Sequence, residues 1–144
     1  MSLEQNKQLV MRWINEVVNR QDVTGVEQFY APNSVYHFVP TDPSEQGQIP
    51  GPEGERRFEA AYYAAFPDNH FQVEQIVAEG DLVMIRYIYS GTHRGNFMGF
   101  APTGKSFKAA GMDLFRIVNG KFVEKWMSMN TLEVLQQLGL LTVG

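Results

Sequence analysis

The stretch GFAPTGKS, residues 99–106, fits the phosphate-loop pattern G-x-x-x-x-G-K-[ST], with Gly99, Gly104, Lys105 and Ser106 where it requires them. A phosphate loop works because it follows a buried strand and opens a helix, whose first N–H groups hold the phosphates. Neither flank meets that need. SGTHRGNFM upstream is polar and broken by glycine, and FKAAGMDLFRI downstream is a strand pattern running into Asn119-Gly120. Pro102 and Gly104 are turn formers, so the stretch reads as a loop between two strands. The three histidines, His37, His70 and His93, show no ligand spacing such as H-x-x-x-H, and the chain has no cysteine. No metal site, disulfide or thiol nucleophile is therefore expected. Ser90, Ser106 and Ser128 lie in no G-x-S-x-G turn, so covalent catalysis is not indicated. His37 is a candidate general base, with a hydrogen-bonded core histidine as the competing reading. His70 reads as structural, and His93 as lying near the sheet rim or an oligomer contact.

The elements that would position such groups follow from periodicity. Leu9, Trp13 and Val17, with Val10, Ile14 and Val18 beside them, give a helix over 3–20. Asp22 caps a second over 22–30, ended by Pro32. Residues 34–39 are a short strand, and 40–52 a proline-rich loop fit for a lid or rim. A third helix covers 52–66, with Phe58, Ala61, Tyr62, Ala65 and Phe66 as its apolar stripe and Pro67 at its end. From residue 70 the period becomes two. Strands 70–80 and 81–91 turn at Glu79-Gly80-Asp81, and strands 106–118 and 121–129 at Asn119-Gly120. A last helix, 131–138, is capped by Asn130, with Glu133 at capping-box spacing. Helices first and an antiparallel meander later argue an α+β fold. A curved sheet closed over by helices leaves a cone-shaped apolar pocket for a small ligand.

Bulk composition narrows the function classes. The chain has 144 residues, 44% of them hydrophobic, enough for a single domain over 1–144 with a sizeable core. The net charge is −4 with scattered basic residues, which argues against nucleic acid as a partner. No stretch approaches the roughly 20 apolar residues of a membrane span. MSLEQNKQLVMRW lacks the layout of a signal peptide. The expectation is a soluble, cytoplasmic protein.

Several stretches together resemble the SnoaL-like polyketide cyclases of the nuclear transport factor 2-like superfamily. They are FYAPNSVYHF, GPEGERRF, AFPDNHFQVEQIVAEGDLVMIRY, GTHRGNFMGFAPTGKSF, GMDLFRIVNGKFVEKW and LQQLG, covering nearly the whole chain. The resemblance implies a cone-shaped α+β barrel, a curved and mostly antiparallel sheet wrapped around N-terminal helices. It also implies a homodimer or homotetramer built on the sheet, and ring closure of polyketide esters by intramolecular aldol chemistry without metal or organic cofactor. An acid–base side chain removes a proton next to a carbonyl, and the pocket holds the enolate. The superfamily also holds isomerases, dehydratases and binding-only members, so fold constrains function loosely.

By that resemblance an acid–base position in the next-to-last strand falls on Asp113. A second, an aspartate in the last strand, falls on Met127, which cannot transfer protons, and the position two before it is Lys125. Hairpin register then decides what Asp113 meets. A two-residue turn sets it opposite Trp126. A three-residue loop with a glycine bulge sets it opposite Lys125 and sets Gly111 opposite Met127. The second is preferred, because it places Asp113, Lys125 and Met127 on one face. The Asp113–Lys125 contact serves either a base or a structural ion pair. Trp13, Tyr36, Tyr62, Phe66, Phe115 and Met127 are the candidate pocket wall, most of them also explicable as core. Arg86, a charge in an apolar strand, lies on a solvated or oligomer face or meets an anionic ligand group.

The sequence thus points to a cofactor-free acid–base enzyme acting on a small apolar carbonyl compound by cyclisation, isomerisation or dehydration. Asp113 with His37 or Tyr36 would move the proton, and Lys125 would steady charge on oxygen. The alternative is a small-molecule-binding protein of the same fold without turnover, which Met127 favours. A scaffold using only the outer sheet face is a third reading. Nucleotide is not an expected partner in any of them. ATP or GTP at millimolar concentration should leave the melting temperature unchanged, and stabilisation abolished by Lys105→Ala would overturn the loop reading.

Overall fold

Ser2 opens the first helix by a reciprocal cap: its hydroxyl accepts from the Gln5 N–H, and the Gln5 side chain accepts from the Ser2 N–H. In the computed structural model, which describes residues 1–37 and 48–142, this helix α1 (Leu3–Trp13) continues as a π-helical turn, Ile14–Val18. The wide turn keeps Trp13, Ile14, Val17 and Val18 all buried. Such insertions gather at functional sites.

Asp22 caps as expected, accepting from the Thr24 N–H. The capped segment is a 3-10 turn, Val23–Gly25, and then the four-residue α2 (Val26–Phe29), not a helix to residue 30. Strand β1 (Tyr30–His37) begins four residues before the expected strand start at 34. Pro32 lies within it, where pairing to the neighbouring strand slips between Tyr30 and Val35. A bulge is one of the few strand sites that tolerates a residue without an N–H. The end of the expected strand and most of the expected 40–52 loop lie outside the described residues. Gln48–Pro50 forms a short β2, and α3 (Gly51–Ala65) starts at Gly51.

The meander is close to expectation: β3 (His70–Glu79), β4 (Leu82–Thr92), β5 (Ser106–Val118) and β6 (Lys121–Met129). The final helix α4 (Thr131–Gln137) is capped by the Asn130 side-chain oxygen accepting from the Glu133 N–H. The meander extends to a six-stranded sheet, ordered β2-β1-β6-β5-β4-β3. β1 runs parallel to β6, and the other neighbours are antiparallel. α1 and α3 cover one face, where odd-numbered residues of β4 and β5 bury Val83, Ile85, Tyr87 and Tyr89 against Phe107, Ala109 and Phe115. This is the α+β architecture expected. No described helix is long and apolar enough to cross a membrane.

GFAPTGKS is a loop followed by a strand. Phe97 and Phe100 exchange backbone hydrogen bonds across a tight turn, and Ser106 begins β5. No helix start is there to receive a phosphate.

The β5–β6 register matches neither expected alternative. Asn119 and Gly120, with φ of 51° and 73°, make a two-residue turn that pairs Val118 with Lys121, the mirror-image turn that suits a twisted hairpin. Ile117 pairs with Phe122, but Arg116 pairs with Glu124, leaving Val123 as a bulge. Asp113 therefore stands opposite Met127, and Gly111 opposite Met129. The expected face survives this correction: Asp113, Lys125 and Met127 lie together on the helix-covered side.

Candidate functional site

A β-bulge inverts which residues point inward beyond it. Before Val123 the inward residue of β6 is Phe122, and after it Lys125. Plain alternation from Phe122 would have turned Glu124 and Trp126 inward. The bulge instead puts an ammonium in the core and leaves Trp126 half-exposed on the outer face. Lys125 is 2% exposed. Its Nζ lies 5.4 Å from the Trp13 ring centre, 5.0 Å from Tyr36 and 5.2 Å from Phe115. Three aromatic faces thus surround the cation, each contributing about 0.5–2 kcal/mol when water is excluded.

Among the described residues, two carboxyl groups reach it. Asp113 Oδ2 is 3.8 Å from Lys125 Nζ, and Glu55 Oε1 is 3.5 Å away. Asp113 is held from a second side, because the Tyr87 hydroxyl donates to its Oδ1 at 2.8 Å. Tyr87 pairs with Gly111 across β4–β5. A Cβ on Gly111 would come 2.7 Å from the Tyr87 hydroxyl oxygen, so only glycine leaves room for the phenol to reach the carboxyl two residues along. Burial raises the Asp113 pKa to about 6, opposed by Lys125 and the Tyr87 hydrogen bond and assisted by Glu55. Ion pairs of this length are worth about 4 kcal/mol at the effective dielectric typical of proteins, comparable with the desolvation they oppose.

Glu55 and a third carboxyl, Glu59, are absent from the expected site residues. Both are buried, one helical turn apart on α3. The signal is present in the sequence: Glu55, Phe58, Glu59, Tyr62 and Phe66 form one continuous inward stripe at helical spacing. Ala61, expected in that stripe, is exposed. Burial, then the charge of Glu55, pushes the Glu59 pKa well up, with Lys125 opposing. Tyr30, Tyr36 and Tyr87 have pKa values raised well above normal, chiefly by burial, so they serve as neutral hydroxyls.

The other expected residues separate into two groups. Trp13, Tyr36, Tyr62, Phe66 and Phe115 are all buried on the inner side and packed ring against ring, Tyr36 on Phe58 and Tyr62 on Phe66 among them. Met127 joins them, accepting the Tyr36 hydroxyl on its Sδ at 3.0 Å. His37 does not. Tyr36 takes the inward direction, and alternation turns His37 to the outer side, stacked on Trp126 with Nε2 2.7 Å from Glu124 Oε2. It is on the opposite face of the sheet from Asp113. His93 is completely buried, taking the Thr103 N–H on Nδ1 at 3.2 Å. It thereby ties the end of β4 to the loop before β5. His70 is exposed at the start of β3. Arg86 is half-buried on the outer face with its Nε donating to Gln75.

The family model for the SnoaL-like polyketide cyclases matches residues 8–138. Among solved structures, IdmH of Streptomyces antibioticus, a candidate polyketide cyclase, is 31% identical with a TM-score of 0.77, covering 94% of this chain and 99% of its own. AclR of Streptomyces galilaeus, a candidate hydroxylase, is 29% identical with a TM-score of 0.82, covering 99% and 86%. TsrD of Streptomyces laurentii shares the fold at 23% identity, with a TM-score of 0.85 over 98% of this chain and 99% of its own. A search of the curated proteins finds no match.

The ionic cluster generates opposite expectations for its two central residues. Lys125→Met leaves buried carboxylates without their cation and should lower stability by about 3–5 kcal/mol at pH 8. The loss should shrink toward pH 5, where Asp113 takes up a proton. Asp113→Asn should be mild, because Glu55 still partners Lys125. A pKa raised from 3.8 to about 6 means that the folded state holds its proton more tightly than the unfolded chain. That stability is present below pH 4 and is lost as pH rises to 6. Denaturant titrations across this window should show the slope in the parent protein and its loss in Asp113→Asn; the same slope in both would refute the burial of Asp113.

Proposed function

The chain belongs to the SnoaL-like polyketide cyclase family, and on that premise we propose that it is an acid–base catalyst acting on a small apolar carbonyl compound. One observation carries the reading: a buried carboxyl, Asp113, is fixed by Tyr87, approached by Lys125 and held near a pKa of 6. A base must be deprotonated at working pH yet retain affinity for a proton, and a value near 6 meets both conditions. Asp113 removes a proton next to the carbonyl. Lys125 faces the charge that develops on oxygen, with the Tyr36 hydroxyl as a neutral donor nearby. Trp13, Tyr36, Tyr62, Phe66, Phe115 and Met127 give the apolar surroundings that select an apolar skeleton. The outcome is a cyclisation, isomerisation or dehydration completed by the protein's own side chains.

A second reading, binding without turnover, is favoured by Met127. It stands directly opposite Asp113 in the register, where a second acid–base group would complete a pair, and its sulfur instead accepts the Tyr36 hydroxyl. A thermal-shift screen of aromatic ketones and esters identifies ligands for either reading. For any compound turned over, Asp113→Asn should cut kcat by about 10²–10⁴-fold with little change in affinity. Ligands that stabilise the protein yet are never converted would establish the binding reading instead.

We further propose that the outer sheet face joins two copies of the chain. Met84, Met112 and Val77 are exposed there, lining a shallow groove of about 420 Å³ with Ile76, Gln75 and Arg86. An uncovered apolar face of this kind marks an interface. Light scattering at micromolar concentration should give at least twice 16.4 kDa, and Met112→Lys should shift the species toward monomer. A parent protein that is already monomeric would exclude it.

A further inference from the structure

The acid–base reading leaves a buried carboxyl unused. Glu55, Glu59 and Asp113 are 0%, 4% and 4% exposed; Glu55 and Asp113 reach the ammonium of Lys125, itself 2% exposed, and Glu59 lies one helical turn from Glu55 with no ion pair of its own to that ammonium among the described residues. Three carboxylates against that one cation would leave two uncompensated charges in an apolar interior. Buried carboxyls in that position hold protons instead. The cluster also has spare hydrogen-bonding capacity. Glu55 Oε2 and Trp13 Nε1 are buried without a hydrogen-bond partner among the described residues, and the Tyr30 hydroxyl is turned toward Glu55. Trp13 is part of the cage around Lys125, and Tyr30 packs edge-on to Trp13 at 5.0 Å between ring centres. Buried polar atoms without partners are uncommon; others lie on Asn6, Ser34, Asn69 and His93, but those bordering the ionic cluster could serve a polar ligand atom beside the carboxyls.

We propose that Glu59 is the second proton carrier of this site: a carboxylic acid that gives its proton to the carbonyl oxygen of the substrate while Asp113 takes the proton from carbon. This rests on the acid–base reading of Asp113. It supplies the acid partner that Met127 cannot be. The two carboxyls sit in different surroundings, which is how one site holds an acid and a base together. Asp113 has Tyr87 and Lys125 stabilising its ionised form. Glu59 has burial and the negative charge of Glu55 opposing ionisation, Lys125 favouring it, and Tyr63 beside it on α3. Tyr30 and Tyr36 on β1 and Tyr62 on α3 also face it, all as neutral phenols.

The step balances without an outside reactant. The electrons of the broken C–H bond form the carbon–carbon double bond of an enol, and its proton goes to Asp113. The Glu59 O–H breaks, its proton bonds the former carbonyl oxygen, and the carboxylate left behind faces Lys125. In an isomerisation Asp113 then returns its proton to a different carbon, and Glu59 recovers its proton from the enol oxygen. Both residues end as they began.

Infrared spectroscopy of the protein at pH 8 tests this without any substrate. The carbonyl stretch of a protonated carboxylic acid lies clear of the carboxylate bands. It should be present in the parent protein and in Asp113→Asn and absent from Glu59→Gln. Glu59→Asp, a second variant should the amide fail to fold, should move it. No such band in the parent protein, or one untouched by both Glu59 variants, overturns the proposal. With any carbonyl compound the parent protein converts, Glu59→Gln should lower kcat about 10²–10⁴-fold. It should also remove the alkaline limb of the pH–rate profile while leaving the acid limb set by Asp113. If Asp113→Asn retains full turnover, the acid–base reading itself has failed. If Asp113→Asn is inactive and Glu59→Gln is not, only the assignment of Glu59 has failed.

Discussion

An ammonium group with almost no access to water organises this molecule. Lys125 lies under the helices, ringed by Trp13, Tyr36 and Phe115. A lone buried cation would destabilise the fold by several kcal/mol, so its surroundings have to supply what water does not. Carboxyls from two elements do so, Asp113 from β5 and Glu55 from α3. The ion pairs therefore bridge the sheet and the helix that covers it, and docking α3 is coupled to the electrostatics of the site. The same coupling leaves a surplus of buried carboxyl groups over buried cations, and it is on that surplus that the proposed proton transfer draws.

Small backbone departures do the positioning. The bulge at Val123 exchanges the faces of β6, so that Lys125 rather than Trp126 turns inward. Gly111 opens the space through which the Tyr87 hydroxyl reaches Asp113. The π-helical turn after Trp13 keeps the end of the first helix seated over the same region, and the Tyr63 hydroxyl donates to the Val17 carbonyl within it. Each departure gives up some regular hydrogen bonding or side-chain packing. Bulges and π-turns recur beside functional sites because they aim a side chain that regular geometry would misdirect.

The sheet divides the molecule into two chemistries. Its inner face carries the ionic cluster and the aromatic core. Its outer face carries methionines, Trp126 and the His37–Glu124 pair. Relatives of this fold range widely in activity, and the division shows how that is possible. The helices and the long strands set the frame. On the proposed reading, what the inner face does rests on a handful of side chains, among them Asp113 with Met127 opposite it and two glutamates one helical turn apart.

Periodicity and turn chemistry by themselves determined the α+β class, the four long strands, the Asn119-Gly120 hairpin, the caps at Asp22 and Asn130, and the loop-then-strand context of GFAPTGKS. These are local properties, in which each residue's preference agrees with its neighbours'. The family pattern added Asp113 and Lys125 and their common face. Only the tertiary structure decided the rest. The bulge at Val123 shifts the register by one residue, and nothing in FVEKWM distinguishes a regular strand from a bulged one, because the choice depends on what the other face meets. β1 starts at Tyr30 because its partner is β6, distant in the chain and parallel to it. His37 turns outward because Tyr36 fills the inside. Glu55 and Glu59 lie in view on an inward helical stripe, but charge alone reads as solvated surface. What makes them interior is Lys125, and a residue 70 positions from Glu55 is brought to them by packing alone.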